Sequence, residues 1–161
     1  MIEPQSVADL LTYRLLRLSN TLGLFSSRRY RDQFGVTLPE WRVLSIIAMR
    51  GTTSAREISR ILATDKGWVG LSVDGLVARG LVARSRDARD GRRMLLELTG
   101  EGRALHDAVL AEARLRQQRL LSTLAPETAR SLTVALDRLQ IEADRMLDEL
   151  TTDQTNGTAP R

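Results

Sequence analysis

Residues 81–100 read LVARSRDARDGRRMLLELTG. Two runs that can form strands, 81–86 and 92–98, flank a segment at 87–91 that is rich in turn-forming residues. The stretch therefore predicts an antiparallel hairpin, and its arginines make that hairpin basic.

Two short helices are predicted directly before this hairpin. The segment Ser54–Glu57 has the spacing of a capping box and begins the first of them. Thr64 or Asp65 begins the second, which we expect to end at Arg79 with Gly80 as a left-handed cap. A helix, a tight turn and a second helix followed by a basic hairpin indicate a winged helix-turn-helix.

Longer helices are predicted on the N-terminal side of this module. Ser6 can cap a helix that starts at residue 7 and ends near Phe34, with Gly35 as the stop. Thr37–Glu40 is a capping box for a further helix that ends at Gly51. The first helix carries one apolar stripe, which includes Leu11 and Leu15.

Two more helices are predicted on the C-terminal side. Thr99 caps one that runs to about residue 124, and Pro126 begins the other. The last helix repeats apolar residues in alternating steps of four and three, as in a coiled-coil seam. The seam consists of Leu132, Leu136, Leu139, Ala143, Met146 and Leu150.

Charge and composition narrow the class of protein. The 161-residue chain has a formal net charge of +4, and residues 50–99 hold ten basic and six acidic side chains. All of the excess positive charge therefore lies in the predicted helix-turn-helix and hairpin, as in nucleic-acid-binding modules.

Other classes are disfavoured by what the sequence lacks. It has no cysteine and one histidine, so thiolate chemistry and a histidine-rich metal site are excluded. We find no nucleophile–base motif and no glycine-rich phosphate loop, and we expect neither an enzyme nor a cofactor. No secretory signal and no membrane-spanning run is recognisable, which predicts a cytoplasmic protein.

In four segments the sequence resembles the MarR family of bacterial regulators. They are LPEWRVL (38–44), SAREISRILATDKGWV (54–69), SVDGLVARGLVAR (72–84) and DGRRMLLELTGEG (90–102). The resemblance implies a two-fold dimer that binds a palindromic operator in double-stranded DNA. It also implies a repressor that releases DNA when a small, often aromatic, acidic ligand binds.

The predicted fold is mainly α, a winged helix-turn-helix with a two-stranded β-wing and long N- and C-terminal dimerisation helices. Residues 1–36 form the N-terminal dimerisation helix and a possible ligand site, and 37–99 form the DNA-binding domain. Residues 100–150 form the C-terminal dimerisation helices, and 151–161 are expected to be a disordered tail.

The second helix of the helix-turn-helix is expected to lie in the major groove, which admits one α-helix. Its candidate DNA contacts are Lys66, Leu71 and Ser72. The first turn after Ser54 can direct backbone N–H groups at a phosphate.

The wing is expected to follow the adjacent minor groove. Arg92 is the candidate for insertion, because a narrow groove concentrates negative potential. Asp90 is expected to hold the Arg92 guanidinium by a charge-assisted pair, while Arg89 and Arg93 would contact phosphates.

One departure from the family leaves an alternative open. Members commonly carry arginine where this chain has Leu71, and often where it has Gly75. Leu71 could contact a thymine methyl group, or affinity could rest on the wing and on DNA shape. The alternative function is an interaction module with impaired DNA binding that acts through a protein partner.

A ligand site is expected where the first helix, the helix of Trp41 and the dimer helices meet. Basic and aromatic side chains there would suit an aromatic carboxylate, and the arginines near residue 28 would suit an acyl-coenzyme A thioester. Alternatively, Trp41 belongs to the core and those arginines form a solvated face. The candidates are Tyr13, Arg14, Arg17, Asn20, Arg28, Arg29 and Trp41.

Dimerisation is assigned to the two ends of the chain. Leu11 and Leu15 of the first stripe, together with the seam of the last helix, are expected to pack against a second copy. The alternative for the seam is packing within one chain.

Overall fold

The computed structural model describes residues 5–88 and 90–156. In this part of the chain the helices are α1 (Leu11–Phe34), α2 (Leu38–Arg50), α3 (Ala55–Ile61), α4 (Lys66–Ala78), α5 (Gly100–Leu121) and α6 (Pro126–Asn156). The strands are β1 (Thr52–Thr53), β2 (Val82–Arg86) and β3 (Met94–Leu98). No helix among the described residues has the length and apolar character needed to cross a membrane.

The N-terminus differs from the predicted single helix. Ser6 closes a separate 3₁₀ turn, because its backbone N–H and its hydroxyl both donate to the Asp9 carboxylate, at 3.0 and 2.9 Å. Leu10 is extended, and α1 begins only at Leu11. At the other end, Gly35 adopts a left-handed conformation with φ 61° and stops the helix, as predicted.

Helix α2 begins with the predicted capping box. The backbone N–H of Thr37 donates to the Glu40 carboxylate at 2.8 Å, and the Glu40 N–H donates to the Thr37 hydroxyl at 3.3 Å. Two otherwise unsatisfied groups at the helix start are thus paired.

Helix α3 forms only half of its predicted box. The Glu57 N–H donates to the Ser54 hydroxyl at 3.4 Å, but the Glu57 carboxylate accepts from the hydroxyl of Thr53 at 3.0 Å. Arg50 and Arg93 each lie 3.9 Å from that carboxylate. The Glu57 carboxylate, which the capping-box spacing predicts to bind the start of α3, therefore interacts with Thr53 and the two arginines instead.

The sheet has three strands rather than two. Strand β3 lies between β1 and β2, and both pairings are antiparallel. The register pairs Val82 with Leu98 and Arg86 with Met94, which confirms the predicted hairpin. Strand β1 was missed because two residues are too few to show an alternating pattern.

The core of the helix-turn-helix is formed by one apolar cluster shared by α2, α3, α4 and the sheet. Its fully buried members include Leu44, Ile47, Ile58, Val69, Leu76 and Leu96. Trp41 and Trp68 are half-buried against it. The cluster holds α4 at a fixed angle to the wing.

Helix α5 is joined to this core through a close backbone contact. The Thr99 N–H donates to the Leu81 carbonyl at 3.1 Å, and the Thr99 hydroxyl donates to the Gly80 carbonyl at 2.7 Å. The Gly102 N–H then donates to the Thr99 hydroxyl at 3.0 Å, which confirms Thr99 as the cap of α5. A Cβ on Gly102 would overlap the Leu81 carbonyl oxygen, so this position requires glycine.

The chain divides into two units, residues 1–113 and 114–161. The second unit contains the end of α5 and the whole of α6. No side chain described between residues 126 and 150 is buried. Helix α6 continues to Asn156, six residues beyond its predicted end, because no proline or glycine interrupts it before position 157.

Candidate nucleic-acid interface

Helix α3, the start of α4 and the wing together line one groove. Its volume is about 920 Å³, and basic side chains outnumber acidic ones along it. The basic lining residues are Arg56, Arg60, Lys66, Arg92 and Arg93, and the acidic ones are Glu57 and Asp90. Ser54 also lines the groove, next to the first turn of α3. The structure thus brings together predicted residues from three separate segments.

The tip of the wing is held by hydrogen bonds of its own backbone. Asp87 N–H donates to the Arg93 carbonyl at 2.9 Å, and Arg93 N–H donates to the Asp90 carbonyl at 2.8 Å. The Asp90 carboxylate accepts from the backbone N–H of Arg92 at 3.1 Å. Asp90 therefore positions the backbone of Arg92.

The predicted pair between Asp90 and the Arg92 guanidinium is not formed. Within residues 5–88 and 90–156, no carboxylate lies within 4.0 Å of that guanidinium. The short Asp90 side chain bonds instead to the nearby N–H two residues ahead, a common turn geometry. Arg92 is exposed and its charge is available to a partner. The predicted contact Arg89 lies outside the described residues.

One face of α4 points outward. It is formed by Lys66, Gly67, Leu71, Asp74 and Ala78, all of them exposed. Leu71 is 76% exposed, more than any other large apolar side chain in the described part of the chain. Its exposure agrees with a predicted outward position.

Ser72 does not share this outward face, contrary to the prediction. Its side chain is buried, at 8% exposure, and its hydroxyl donates to the Trp68 carbonyl at 3.1 Å. Ser72 lies between Val69 and Val73 on the side of α4 that packs on the core. The prediction was wrong because a serine hydroxyl can be satisfied inside a helix by a backbone carbonyl, so its polarity does not require exposure.

Gly75 lies toward α2. A Cβ at Gly75 would lie 3.3 Å from a carboxylate oxygen of Glu40. The same oxygen is 3.3 Å from the Arg79 guanidinium, so Glu40 connects the start of α2 to the end of α4. A residue that sequence reasoning treated only as a cap therefore also orients α4.

Two further arginines are already paired at the edge of the site. Arg84 of β2 forms an ion pair with Asp74 on the outer face of α4. Arg93 is 3.9 Å from Glu57, so the base of the wing is tied to α3.

The predicted ligand residues do not form one cluster within a chain. Trp41 stacks on His106, with ring centroids 5.3 Å apart, and meets Tyr30 edge-on at 5.8 Å. Tyr13 lies seventeen residues before Tyr30, or about 25 Å along α1 at 1.5 Å per residue. Trp41 is part of the packed interior, as its alternative interpretation stated.

The predicted basic ligand residues lie apart along α1. Arg14 pairs with Asp9 at 3.7 Å, and Arg29 pairs with Glu112 at 2.9 Å. Arg28 and Arg29 line a shallow groove of about 460 Å³ beside Leu24 and Phe25. Arg17 and Asn20 are exposed on the preceding turns.

A third groove, between α1 and α2, was not predicted from the sequence. Its volume is about 390 Å³, and apolar residues of α1 line it together with Leu38 and Arg42. Leu15, predicted for dimerisation, is half-buried and lines this groove. Arg42 lies within the LPEWRVL segment, but no local signal distinguishes it from a solvated arginine.

The other side chains predicted for dimerisation are exposed. Leu11 is half-exposed on the first turn of α1. Along α6 the seam leaves large apolar side chains uncovered at Leu132, Leu136, Leu139, Met146 and Leu150.

A helix-turn-helix followed by a β2–β3 hairpin, which forms a three-stranded sheet with β1, defines a winged-helix protein. A family model described as the MarR family matches residues 34–93, from the end of α1 to the tip of the wing just before β3. Over these residues the chain is similar to the MarR family.

Two curated transcription regulators are also similar to part of the chain. The chain is 32% identical over 96 residues to the transcriptional repressor MdtR of Bacillus subtilis. The aligned residues cover 60% of this chain and 62% of that protein. It is 29% identical over 100 residues to the transcriptional regulator FarR of Neisseria gonorrhoeae, 60% of this chain and 66% of that protein. Less than two thirds of each curated relative is therefore matched.

A solved structure extends the likeness to most of the fold. A MarR/EmrR family transcriptional regulator from Acinetobacter sp. ADP1 superposes with a TM-score of 0.76 at 28% identity. The match covers 83% of this chain and 94% of that one.

Proposed function

We propose that this protein is a DNA-binding transcription regulator. The observation that carries the proposal is the basic groove shared by α3, α4 and the wing. Phosphates along a duplex supply a matching row of negative charges, and neutralising them releases counterions. The names of MdtR, FarR and the Acinetobacter protein, all transcription regulators, support this reading.

In the proposed complex, α4 lies in the major groove and the wing follows the neighbouring minor groove. Lys66 at the start of α4 contacts a phosphate or a base edge. Arg92 enters the minor groove, where negative potential is concentrated when the groove is narrow. The turn at Asp90 fixes the backbone from which Arg92 extends.

Two copies are needed for a site of useful length, because one module contacts few base pairs. The uncovered apolar seam of α6 and the exposed Leu11 on α1 supply surface for a homodimer. A two-fold axis would place two α4 helices about 34 Å apart, one turn of DNA, and would match a palindromic operator.

Regulation is proposed to be repression that a small ligand relieves. The likeness to MdtR, a repressor by name, supports the sign of the effect. Arg42 and apolar side chains in the groove between α1 and α2 would suit an aromatic carboxylate. Arg28, beside exposed Leu24 and Phe25, would suit an acyl-coenzyme A thioester.

The test is a binding titration against the DNA upstream of the protein's own gene, followed by fluorescence anisotropy at several salt concentrations. Wild-type protein is expected to bind with a nanomolar Kd that weakens steeply with salt. Arg92→Ala should weaken binding at least tenfold and, because the proposed homodimer loses two arginines, lower the log–log salt slope by about 1.8. Release of the duplex by aromatic acids or acyl-coenzyme A thioesters would support the regulatory part of the proposal.

Arg103→Ala is the matched control, because Arg103 is exposed but does not line the groove. It removes the same charge and should change the affinity little. Equal losses for the two variants would mean that net charge, and not the wing, carries the binding.

The second candidate function is an interaction module that acts through a protein partner. The observation that favours it is the apolar, highly exposed Leu71 where a polar base contact would be expected. Absence of binding to any duplex at low salt would support this candidate against the first.

A further inference from the structure

We propose that Leu71 determines sequence specificity by contacting the C5-methyl group of a thymine in the major groove. The inference rests on the proposed DNA-binding function and assigns a base-reading role to one residue. It requires that Leu71 be exposed, that no other residue on this face of α4 be better suited to discriminate bases, and that the surrounding surface be positively charged.

The exposure of Leu71 is the first observation. Leu71 is 76% exposed, so most of this apolar residue is in water, although Val69, Val73 and Leu76 of the same helix are buried in the core. Exposed apolar surface gains free energy when it is buried against another apolar group.

The neighbours of Leu71 leave its approach open. Gly67 is one turn before it on the same face, and Gly70 is adjacent to it. A Cβ at Gly70 would meet nothing within 4 Å, so no packing within the chain explains that glycine. Without side chains at these positions, the α4 backbone can come close to the floor of a groove, with Leu71 as the projecting group.

The remaining residues of the outer face are less suited to discriminate bases. Lys66 is a flexible point charge on a long stem, which suits phosphates. Asp74 is held by its ion pair with Arg84. Ala78 has only a methyl group, at the far end of the helix.

Charge identifies the partner of this apolar face as DNA. Lys66 lies on the face itself, and the groove lined by Arg56, Arg60, Arg92 and Arg93 begins beside it. Each base pair with thymine presents an apolar methyl group in the major groove, next to the O4 acceptor. Leucine cannot hydrogen-bond, so the methyl group is the feature of a base edge that it can recognise.

The experiment replaces thymine by uracil, which removes the methyl group and changes nothing else at the base edge. A bound duplex is first selected from a random pool with wild-type protein. Each thymine of that duplex is then replaced by uracil, one symmetric pair at a time, and Kd is measured for wild type and for Leu71→Ala. Because Leu71 is exposed, the alanine variant should keep the wild-type Tm.

We expect one thymine pair at which uracil weakens wild-type binding about three- to tenfold. For Leu71→Ala the same replacement should have no effect, while Leu71→Met, which keeps an apolar contact, should retain part of it. Leu71→Arg should move the preference at that base pair toward guanine.

Two results would overturn the inference while leaving DNA binding intact. Uracil could be tolerated at every thymine, or its effect could persist unchanged in Leu71→Ala, which would assign the methyl contact to another residue. Failure of the random pool to yield any bound duplex would instead contradict the proposed function, and this inference with it.

Discussion

Gly102 shows how a single residue can constrain the junction between the wing and α5. Its backbone contacts the Leu81 carbonyl group so closely that a Cβ would lie 2.9 Å from the carbonyl carbon and would overlap the oxygen. The opposing atoms are backbone, which cannot rotate away as a side chain could. Any substitution must therefore separate α5 from the sheet or distort the turn at Gly80.

Gly102→Ala is expected to lower the free energy of unfolding by about 2–3 kcal/mol, as overpacking typically does. The measurement is urea denaturation followed by circular dichroism. Gly100→Ala is the matched control, because a Cβ at Gly100 meets nothing within 4 Å and alanine favours the helix. Equal stability of the two variants would show that the contact can relax without cost.

Ser72 and Gly75 show where residue type is a poor guide to position. The sequence correctly predicted that both residues belong to α4. The face of the helix on which each one lies depends on how α4 is rotated about its axis against α2 and α3. That rotation is set by the burial of Val69, Val73 and Leu76 in the shared core. Ser72 follows the core side, and Gly75 lies beside Glu40.

Among the elements, the wing depends on a hydrogen bond that the sequence assigned to the wrong donor. Asp90 was expected to bind the Arg92 guanidinium, and it binds the Arg92 backbone N–H instead. The two arrangements differ in whether the side chain at position 90 must carry a negative charge. A backbone N–H needs only an acceptor oxygen, whereas a guanidinium gains most from a negative charge.

Asp90→Asn is therefore expected to bind DNA at least as well as wild type, because its amide oxygen can still accept from Arg92 and an acid is removed from the groove. Asp90→Ala should weaken binding several-fold by loosening the turn. Anisotropy titration measures both, and hydrogen exchange at the amide of Arg92 should be faster in the alanine variant alone. Equal weakening in both variants would favour a charge-dependent role for Asp90.

Helix α4 is oriented by contacts that come from distant parts of the chain. Glu40 caps α2 and also binds Arg79 at the end of α4, and Arg84 of the sheet binds Asp74 on its outer face. Such pairs join residues from separate helices and strands. A change in the position of α2 would therefore be transmitted to the outer face of α4.

At the scale of the whole molecule, the apolar seam of α6 is an uncovered surface in a single chain. Leucines along it are about two-fifths to three-fifths exposed in a single chain, with Leu139 at 43% and Leu150 at 62%. An amphipathic helix of this length, about 46 Å, is rarely stable with its apolar stripe in water. The proposed dimer would bury it.

Leu139→Asp is expected to shift the protein from dimer to monomer in light scattering at micromolar concentration, and to reduce operator affinity in parallel. A charge placed in an apolar seam remains unpaired when the interface closes. Ile141→Asp is the control, since Ile141 is exposed on α6 but lies outside the 4-3 spacing of the seam. Retention of the dimer by both variants would exclude the seam as the interface.

The sequence was sufficient for the features that depend on neighbours along the chain. Capping spacing, glycine stops and apolar periodicity placed five of the helices and both wing strands to within a few residues, and located Arg92 at an exposed tip. The four segments at 38–44, 54–69, 72–84 and 90–102 were enough to indicate the resemblance to the MarR family. These signals are local because a cap or a turn is satisfied within four residues.

The features that needed the folded chain all depend on contacts between distant segments. They include the short strand β1, the direction of Ser72 and Gly75, the second role of Glu40 and the requirement for glycine at position 102. Ser72 does have a periodic signal, because it lies three residues after Val69 and four before Leu76. The other features have none, because each is set by the distance at which two elements pack. That distance depends on how side chains from many segments fill the core, and a short stretch of sequence does not include all of those residues.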